Sequence, residues 1–216
     1  MLRNIVAVVL LCSFLPAQSP RPERDVGGNV ITSARDPRVR IRLPKSVQYV
    51  GANRWVLYDI ADCELHIFVD ADSNMNVQRL YWVQFEGYLA TRPELKHTYD
   101  SPRHTSLGGM DFYVDTWVRR KDAEMRPGSD LEHVGTLLRT RGYHMPDGMM
   151  YVRLVHLLDE QKRQELMIIY GEDVARTGFT ASDLQEGGKA YDRWSSIADG
   201  VVHRAEKSLV IDQKLP

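Results

Sequence analysis

The sequence predicts a single α+β domain built on an antiparallel sheet, flat or curved, of about six to eight strands. Between residues 38 and 172, apolar and polar side chains mainly alternate with a period of two, which is typical of half-buried strands. At about 129–141 and 182–207, apolar residues recur three and four positions apart, which predicts one short and one long amphipathic helix packed on the sheet. Strands interrupted by one helix and closed by another are typical of the α+β class.

Composition and charge limit the classes of partner. The chain has 216 residues, of which 43% are hydrophobic and 26% charged, as in ordinary globular proteins. Its 28 basic and 29 acidic side chains give a net charge of -1, so no long-range field attracts a phosphate backbone. We therefore expect no nucleic-acid partner and no cofactor. A small molecule or an envelope component remains as the expected partner, and nothing indicates the oligomeric state.

The first 19 residues have the pattern of a secretory signal peptide. Arg3 precedes an apolar run over residues 5–15, and the small residues Ala17 and Ser19 follow it. The run is shorter than the roughly 20 apolar residues that a membrane-spanning helix needs, so no transmembrane span is predicted. We expect an exported protein, periplasmic or secreted.

Between this signal and the sheet lies a polar segment. Residues 20–37 are charged, contain Pro and Gly and show no apolar period, so they are interpreted as a flexible leader. The domain is expected over 38–211, with a short tail at 212–216. Its first strand, Val39–Leu43, stops at Pro44, which favours an edge position.

The strands that follow are predicted from alternation and turn residues. Cys63 starts the clearest of them, at 63–70, and is interpreted as a small buried hydrophobe. Earlier in the chain, the segment 51–53 is either a tight turn or a bulge. The other predicted strands cover 47–50, 55–58, 77–88, 111–119, 149–158 and 164–172. Because both faces of 166–170 are apolar, that strand is predicted to be central.

Both helices carry sequence signals at their ends. Ser129 and Glu132 form a predicted capping box, and Gly142 is the predicted left-handed stop. In the long helix, Gly187 and Gly188 are expected to be tolerated through close packing on the sheet. The order of elements resembles that of START-like and PsbP-like proteins, in which a helix packs on a curved sheet. This resemblance is one of element order and implies no activity.

One sheet face is predicted to bind a ligand. If neighbouring strands pair, the side opposite Cys63, Leu65 and Ile67 presents aromatic rings beside charged groups, a combination that suits polar ligands or saccharides. Ordinary cross-strand pairing on a solvated face is the alternative. The predicted face contains Glu64, His66, Trp82, Gln84, Glu86, Tyr113, Asp115, Trp117, Tyr151 and Arg153, with Trp82, Gln84, Tyr113, Trp117, Tyr151 and Arg153 as the ligand-binding set.

These observations favour an exported noncatalytic binding or envelope-associated protein. Its contact surface is either the aromatic and charged face or a cavity under the helix at 182–207. The first alternative is a hydrolase in which the Glu86 and Asp115 carboxyls act with His66 as general acid and base. No nucleophile elbow, zinc-protease motif or phosphate-binding glycine loop occurs in the sequence.

The second alternative is a weak metal-binding module. Asp70, Asp72, Asn74 and Asn76 space oxygen ligands as the start of a calcium loop does, although an Asx turn explains the same residues. A separate group of soft donors, His144, Met145, Met149 and Met150, has the ligand types that select Cu(I), although methionines also fill gaps in apolar cores.

Overall fold

Two antiparallel sheets and three α-helices form the part of the chain that the structure, a computed structural model, describes: residues 20–213. The predicted signal peptide at 1–19 and the last three residues of the predicted tail lie outside these residues. In chain order the strands are β1 (Asp25–Gly27), β2 (Val30–Ser33), β3 (Val39–Arg42), β4 (Gln48–Leu57), β5 (Ala61–Ala71), β6 (Val77–Tyr88), β7 (Arg103–Leu107), β8 (Met110–Arg120), β9 (Gly148–Leu157), β10 (Gln164–Asp173) and β11 (Val210–Asp212), and the helices are α1 (Asp130–Thr140), α2 (Ala181–Leu184) and α3 (Trp194–Ser208).

The main sheet confirms the predicted antiparallel α+β fold. Its seven strands run in the order β4-β5-β6-β10-β9-β8-β7, so β10 lies at the centre, as its apolar faces predict. The two short segments around Gly51 form one strand, β4, in which the register shifts between Tyr49 and Gly51. The bulge, rather than a turn, therefore explains this glycine.

The second sheet corrects the prediction of a flexible leader. Residues 25–33 form β1 and β2, which pair with β3 and β11 in the order β1-β2-β3-β11. Consequently β3 is an inner strand rather than an edge strand. The leader is held by Glu64 of β5, whose carboxylate accepts the backbone N–H groups of Glu23 and Arg24 at 2.8 Å each. Composition does not predict this order, because it depends on strand pairing and on an acid about 40 residues away in sequence.

The main sheet has two buried faces. The sandwich face, which carries Glu64, His66 and Phe68, packs in one apolar cluster with the second sheet and α3. The α1 face, which carries Cys63 and Leu65, packs against α1. Because side chains alternate along each strand, the pairing register decides which residues share a face.

The observed register corrects the predicted ligand face. In β6, Glu86 and Gln84 pair with Cys63 and Leu65, so they lie on the α1 face and not opposite Cys63. The pairings of β10, β9 and β8 continue this face through Arg153. Two of the ten predicted residues lie on the sandwich face, Glu64 and His66; eight lie on the α1 face, Trp82, Gln84, Glu86, Tyr113, Asp115, Trp117, Tyr151 and Arg153.

The predicted long helix is interrupted at its N-terminal end. A Cβ on Gly188 would lie 2.2 Å from the carbonyl oxygen of Ser182, so the chain folds back on α2 here and a continuous helix is impossible. The helix proper starts at Trp194, after a short 3₁₀ turn. Its residues Val201 and Ala205 are fully buried against the sheet. A cavity of about 460 Å³ adjoins α3 beside Ile197, Gly200 and Arg204, so a ligand site at this helix stays a prediction.

The short helix α1 ends at the predicted position, and Gly142 has the left-handed φ of +80°. Its capping box is not formed. The Ser129 hydroxyl accepts no capping hydrogen bond, and the Glu132 carboxylate accepts the backbone N–H of Gly128 at 2.7 Å. Among residues 20–213 no helix combines the length and the apolarity needed to cross a membrane.

Candidate functional site

A row of polar side chains crosses the α1 face where three strands end. Cys63 of β5 pairs with Glu86 of β6, and Glu86 pairs with Glu165 of β10. Paired positions place Cβ atoms about 4.5–5.5 Å apart on one face, so the two carboxyl groups are neighbours. Glu165 is 3% exposed and Glu86 is half-buried. Cys63 is fully buried, and burial raises the pKa of its thiol, which confirms its role as a small buried residue.

A loop anchored by one arginine covers this row. The Arg163 guanidinium donates to four backbone carbonyl oxygens, which fixes residues 88–95 over the sheet edge. The backbone N–H of His97 then donates to the carbonyl of Lys162 at 2.7 Å. These contacts place the His97 imidazole Nδ1 3.0 Å from Glu165 Oε2. The acceptors of Arg163 are the carbonyls of Tyr88, Leu89, Arg92 and Leu95.

Glu86, His97 and Glu165 form the acid–histidine cluster. One ligand atom of each lies within 4.8 Å of the others. In the described part of the chain, no lysine or arginine nitrogen lies within 4.0 Å of either carboxylate. The acids are held instead by neutral donors: the Tyr99 hydroxyl donates to Glu165 Oε2 at 2.6 Å, and Gln84 Nε2 donates to Glu86 Oε2 at 2.9 Å.

The protonation of the cluster reflects burial without a cation in direct contact; the charge of Arg153 only partly offsets the effect of burial on Glu165. Burial, aided by the charge of Asp130, raises the pKa of Glu86 to about 7. Burial, aided by the charge of Glu86, raises the pKa of Glu165 to about 8. Burial also lowers the pKa of His97 to about 4, so its imidazole is neutral at pH 7. Two carboxyl groups of raised pKa beside a neutral imidazole form a group that binds either protons or a cation.

The first turn of α1 extends the row on its other side. Asp130 contributes a carboxylate oxygen within 4.8 Å of ligand atoms of Cys63 and Glu86. Its Oδ1 is buried and has no hydrogen-bond partner among the described residues. Burial raises the pKa of Asp130 as well. The α1 face therefore carries a third acid with no arginine or lysine nitrogen within 4.0 Å in the described part of the chain.

The predicted hydrolase residues Glu86, Asp115 and His66 are not brought together. His66 lies on the sandwich face, where its Nε2 is 2.9 Å from Glu64 Oε1. Asp115 lies three strands from Glu86, which is about 14 Å at the usual strand spacing. Its Oδ2 accepts from Arg153 Nη2 at 2.7 Å. Carboxyl pairs in glycoside hydrolysis lie about 5–9.5 Å apart, so this pair does not meet that requirement.

All six residues of the predicted ligand-binding set lie on the α1 face, but their burial and their neighbours differ. Trp82 and Gln84 are buried, and Trp82 Nε1 donates to Gln84 Oε1 at 2.8 Å. Trp117 and Tyr151 stack with ring centroids 5.2 Å apart. The half-buried members are Tyr113, Trp117 and Arg153. Of the six residues, Tyr151 lines a cleft.

This cleft lies between α1 and the adjoining ends of β8 and β9. Its volume is about 290 Å³, near the lower end of the range for small-molecule sites. The floor is apolar, and no carboxylate occurs among the residues that line it. The floor includes Met125, Leu131, Gly135, Leu138, Met145, Met149 and Tyr151, and the rim includes Arg119, Arg120, Lys121 and Arg139.

The predicted calcium ligands form a hairpin turn. Asp72 Oδ1 accepts the backbone N–H groups of Asn74 at 2.8 Å and Asn76 at 2.9 Å. Asp70 Oδ2 accepts from Arg79 Nη1 at 2.7 Å. These contacts are those of an Asx turn, which is the alternative explanation of this sequence. The calcium hypothesis stays a prediction.

The predicted copper ligands divide between the two faces. His144, Met145 and Met149 line the cleft, whereas Met150 is fully buried on the sandwich face. Adjacent residues of a strand point to opposite sides, which explains the separation. Copper binding stays a prediction, and in the apolar cleft the same thioethers also serve as flexible packing groups.

Three residues of the cluster region were missed from sequence. Glu165 stands immediately before the apolar run at 166–170, and its polarity at a position facing the sheet interior was the available signal. His97 and Tyr99 lie in a loop with no periodicity, so no local pattern marks them. Their placement depends on Arg163, which is 66 residues from His97 in sequence.

Comparison of the chain with protein families, with curated proteins and with solved structures finds no match. The resemblance in element order to START-like and PsbP-like proteins therefore stays a prediction. Function has to be inferred from the chemistry of the described residues alone.

Proposed function

We propose that this chain is an exported noncatalytic binding protein that takes a small anion with an apolar tail, of the fatty-acid type, in the cleft beside α1. One observation carries the proposal: an apolar floor is bordered by four cationic side chains with no carboxylate in the lining. Export follows from the sequence pattern of residues 1–19.

The floor suits a flexible hydrocarbon tail. Met125, Met145 and Met149 contribute unbranched thioether side chains, which adapt to irregular apolar ligands. Leu138 and Tyr151 complete a surface that α1 and β9 hold in place. Each methylene of a tail that leaves water for such a surface contributes about 0.8 kcal/mol.

The rim suits a carboxylate head group. Arg119 Nη2 donates to the backbone carbonyls of residues 123 and 124 at 2.8 and 2.9 Å, which holds its guanidinium at the cleft. Among residues 20–213, the Arg139 guanidinium donates to a threonine hydroxyl in its own helix and contacts no carboxylate within 4.0 Å. Among the four rim cations, only Arg120 has a carboxylate within 4.0 Å in the part of the chain described here. Three cations are thus available for charge-assisted hydrogen bonds to an anion.

Octanoate binding tests the proposal. Gly135 lies in α1 at the cleft, and the one side chain near its missing Cβ is that of Arg139, at 3.2 Å. Gly135→Met inserts a side chain into the cleft, and we expect octanoate affinity, measured by calorimetry, to fall at least tenfold. Gly200 of α3 has a matching environment, with Arg204 at 3.2 Å, so Gly200→Met is the control and should bind as the parent does.

A second pair of measurements tests the head-group contact. Exchange of Lys121 and Arg139 for Gln should weaken octanoate binding about tenfold and leave the binding of uncharged 1-octanol unchanged. Absence of octanoate binding by the parent protein, or an equal loss in Gly135→Met and Gly200→Met, would refute the cleft as a ligand site.

A further inference from the structure

We propose that Glu86, His97 and Glu165 bind a divalent first-row metal ion of the Zn²⁺ type. The three side chains come from β6, the loop after it and β10, and one ligand atom of each lies within 4.8 Å of the others. This site is separate from the octanoate cleft, because none of the three residues lines that cleft.

The donor geometry is close to that of a metal site. Ligand atoms about 2.1 Å from a tetrahedral Zn²⁺ lie about 3.5 Å from one another. His97 Nδ1 and Glu165 Oε2 are already 3.0 Å apart. Register pairing of Glu86 with Glu165 brings the second carboxylate to the same place. Small rotations of the two terminal carboxylates are therefore enough to form three bonds.

Burial and stacking hold the His97 imidazole at the cluster. The residue is only 6% exposed, and its ring stacks on Tyr88 with centroids 4.4 Å apart. Its Nδ1 is the nitrogen that faces Glu165, whereas Nε2 has no hydrogen-bond partner among residues 20–213. The neutral tautomer with its proton on Nε2 leaves the Nδ1 lone pair free to bind the ion.

Neighbouring donors orient the two carboxylates. Tyr99 holds Glu165 Oε2, and Gln84 holds Glu86 Oε2, while Trp82 donates to the Gln84 amide oxygen. A carboxylate oxygen has two lone pairs, so an oxygen that accepts from Tyr99 or Gln84 can also bind a cation. Hydrogen bonds of this kind fix metal ligands in place and commonly change metal affinity 10–100-fold.

The donor types select the metal. Ca²⁺ and Mg²⁺ prefer sites made of oxygen atoms, whereas imidazole suits Zn²⁺ and its first-row neighbours. One nitrogen and two carboxylate oxygens give a charge of -2 that the metal neutralises, and among residues 20–213 no arginine or lysine nitrogen lies within 4.0 Å of either carboxylate. Because Glu86 is half-buried, one side of the cluster is open to an entering ion and to water as a further ligand.

Titration of chelator-treated protein with ZnCl₂ tests this assignment, with MgCl₂ as the second probe. We expect one Zn²⁺ per chain, an increase in melting temperature with Zn²⁺ and no effect of Mg²⁺. Glu165→Gln and His97→Gln should each weaken Zn²⁺ binding at least about 100-fold, and Tyr99→Phe about tenfold. Asp115→Asn removes a carboxylate from the same face outside the cluster and should bind as the parent does.

Melting of each variant in chelator separates loss of metal binding from loss of folding. No Zn²⁺ binding by the parent protein would overturn the proposal. Unchanged binding in both Glu165→Gln and His97→Gln would do the same. Loss of binding in Cys63→Ser with unchanged binding in His97→Gln would place the ion on Cys63, Glu86 and Asp130 and would also overturn it.

Discussion

Glu64 and Glu86 lie on neighbouring strands of the same sheet, on opposite faces, and their surroundings differ in kind. The Glu64 carboxylate accepts from Arg24, from two backbone amides and from His66. Burial alone would raise the pKa of Glu64, but these hydrogen bonds lower it to about 2. Glu86 has the Gln84 amide as its donor, and burial raises its pKa. The Glu64 carboxylate thus contacts an arginine, whereas among the described residues no lysine or arginine nitrogen lies within 4.0 Å of the Glu86 carboxylate.

The same contrast recurs along β10. Glu172, on the sandwich face, accepts two hydrogen bonds from Arg204 at 2.8 Å and one from Tyr170. Glu165, seven residues earlier and on the α1 face, has Tyr99 and neutral His97. Glu64 and Glu172 on the sandwich face thus contact arginines, whereas Glu86 and Glu165 on the α1 face contact neutral donors. Under our proposal, the first pair stabilises the fold and the second pair forms a site.

The largest expected change in stability follows removal of the Glu64 carboxylate. Glu64→Gln keeps the size of the side chain but removes the charge that Arg24 and two backbone amides contact. We expect a loss of about 3 kcal/mol in the free energy of unfolding at pH 7, because buried ionic partners are then left unmatched. Urea unfolding measures it. A loss below about 1 kcal/mol would show that the leader is not held by this carboxylate.

Acid unfolding sharpens the contrast. The folded-state pKa of Glu64, about 2, lies below its unfolded value, so its stabilising contribution is present above about pH 4.5 and is lost as the pH falls towards 2. We expect stability to fall by up to about 1.4 kcal/mol per pH unit in that window from this residue. The slope should be smaller in Glu64→Gln. Equal slopes in parent and variant would exclude Glu64 as the source.

Most strands of the main sheet could be predicted from sequence, but the sharing of faces could not. Alternation from Cys63 onward places β5 correctly, because period two is a local property of the chain. The register that joins Cys63 to Glu86 depends on non-local pairing, and a shift of one residue moves a whole strand to the other face. For this reason the predicted placement opposite Cys63 is wrong for eight of the ten residues, although these eight do share one face.

Two further elements depended on contacts far apart in sequence. The leader is ordered by hydrogen bonds to Glu64, about 40 residues away, and the loop that carries His97 is ordered by Arg163. Hydrophobic pattern and composition describe neither contact. The helix break at Gly188 was visible as a glycine pair, but the close approach that requires it appears only in three dimensions.

The smallest expected change in stability is at Glu165, and it is an increase rather than a loss. In the described chain, the buried Glu165 carboxyl has no lysine or arginine nitrogen within 4.0 Å. Glu165→Gln replaces it with a neutral amide that still accepts from Tyr99, and chelator keeps metal ions out of the measurement. Because burial raises the pKa of Glu165 to about 8, the parent must take up a proton at this residue when it folds at pH 7. The amide does not, so we expect the variant to be about 1 kcal/mol more stable than the parent in urea unfolding at pH 7. Removal of one buried glutamate would then weaken the fold and removal of the other would strengthen it, within a single sheet. A loss of stability similar to that of Glu64→Gln would mean that Glu165 is held by the fold as firmly as Glu64, and the distinction between the two faces would fail.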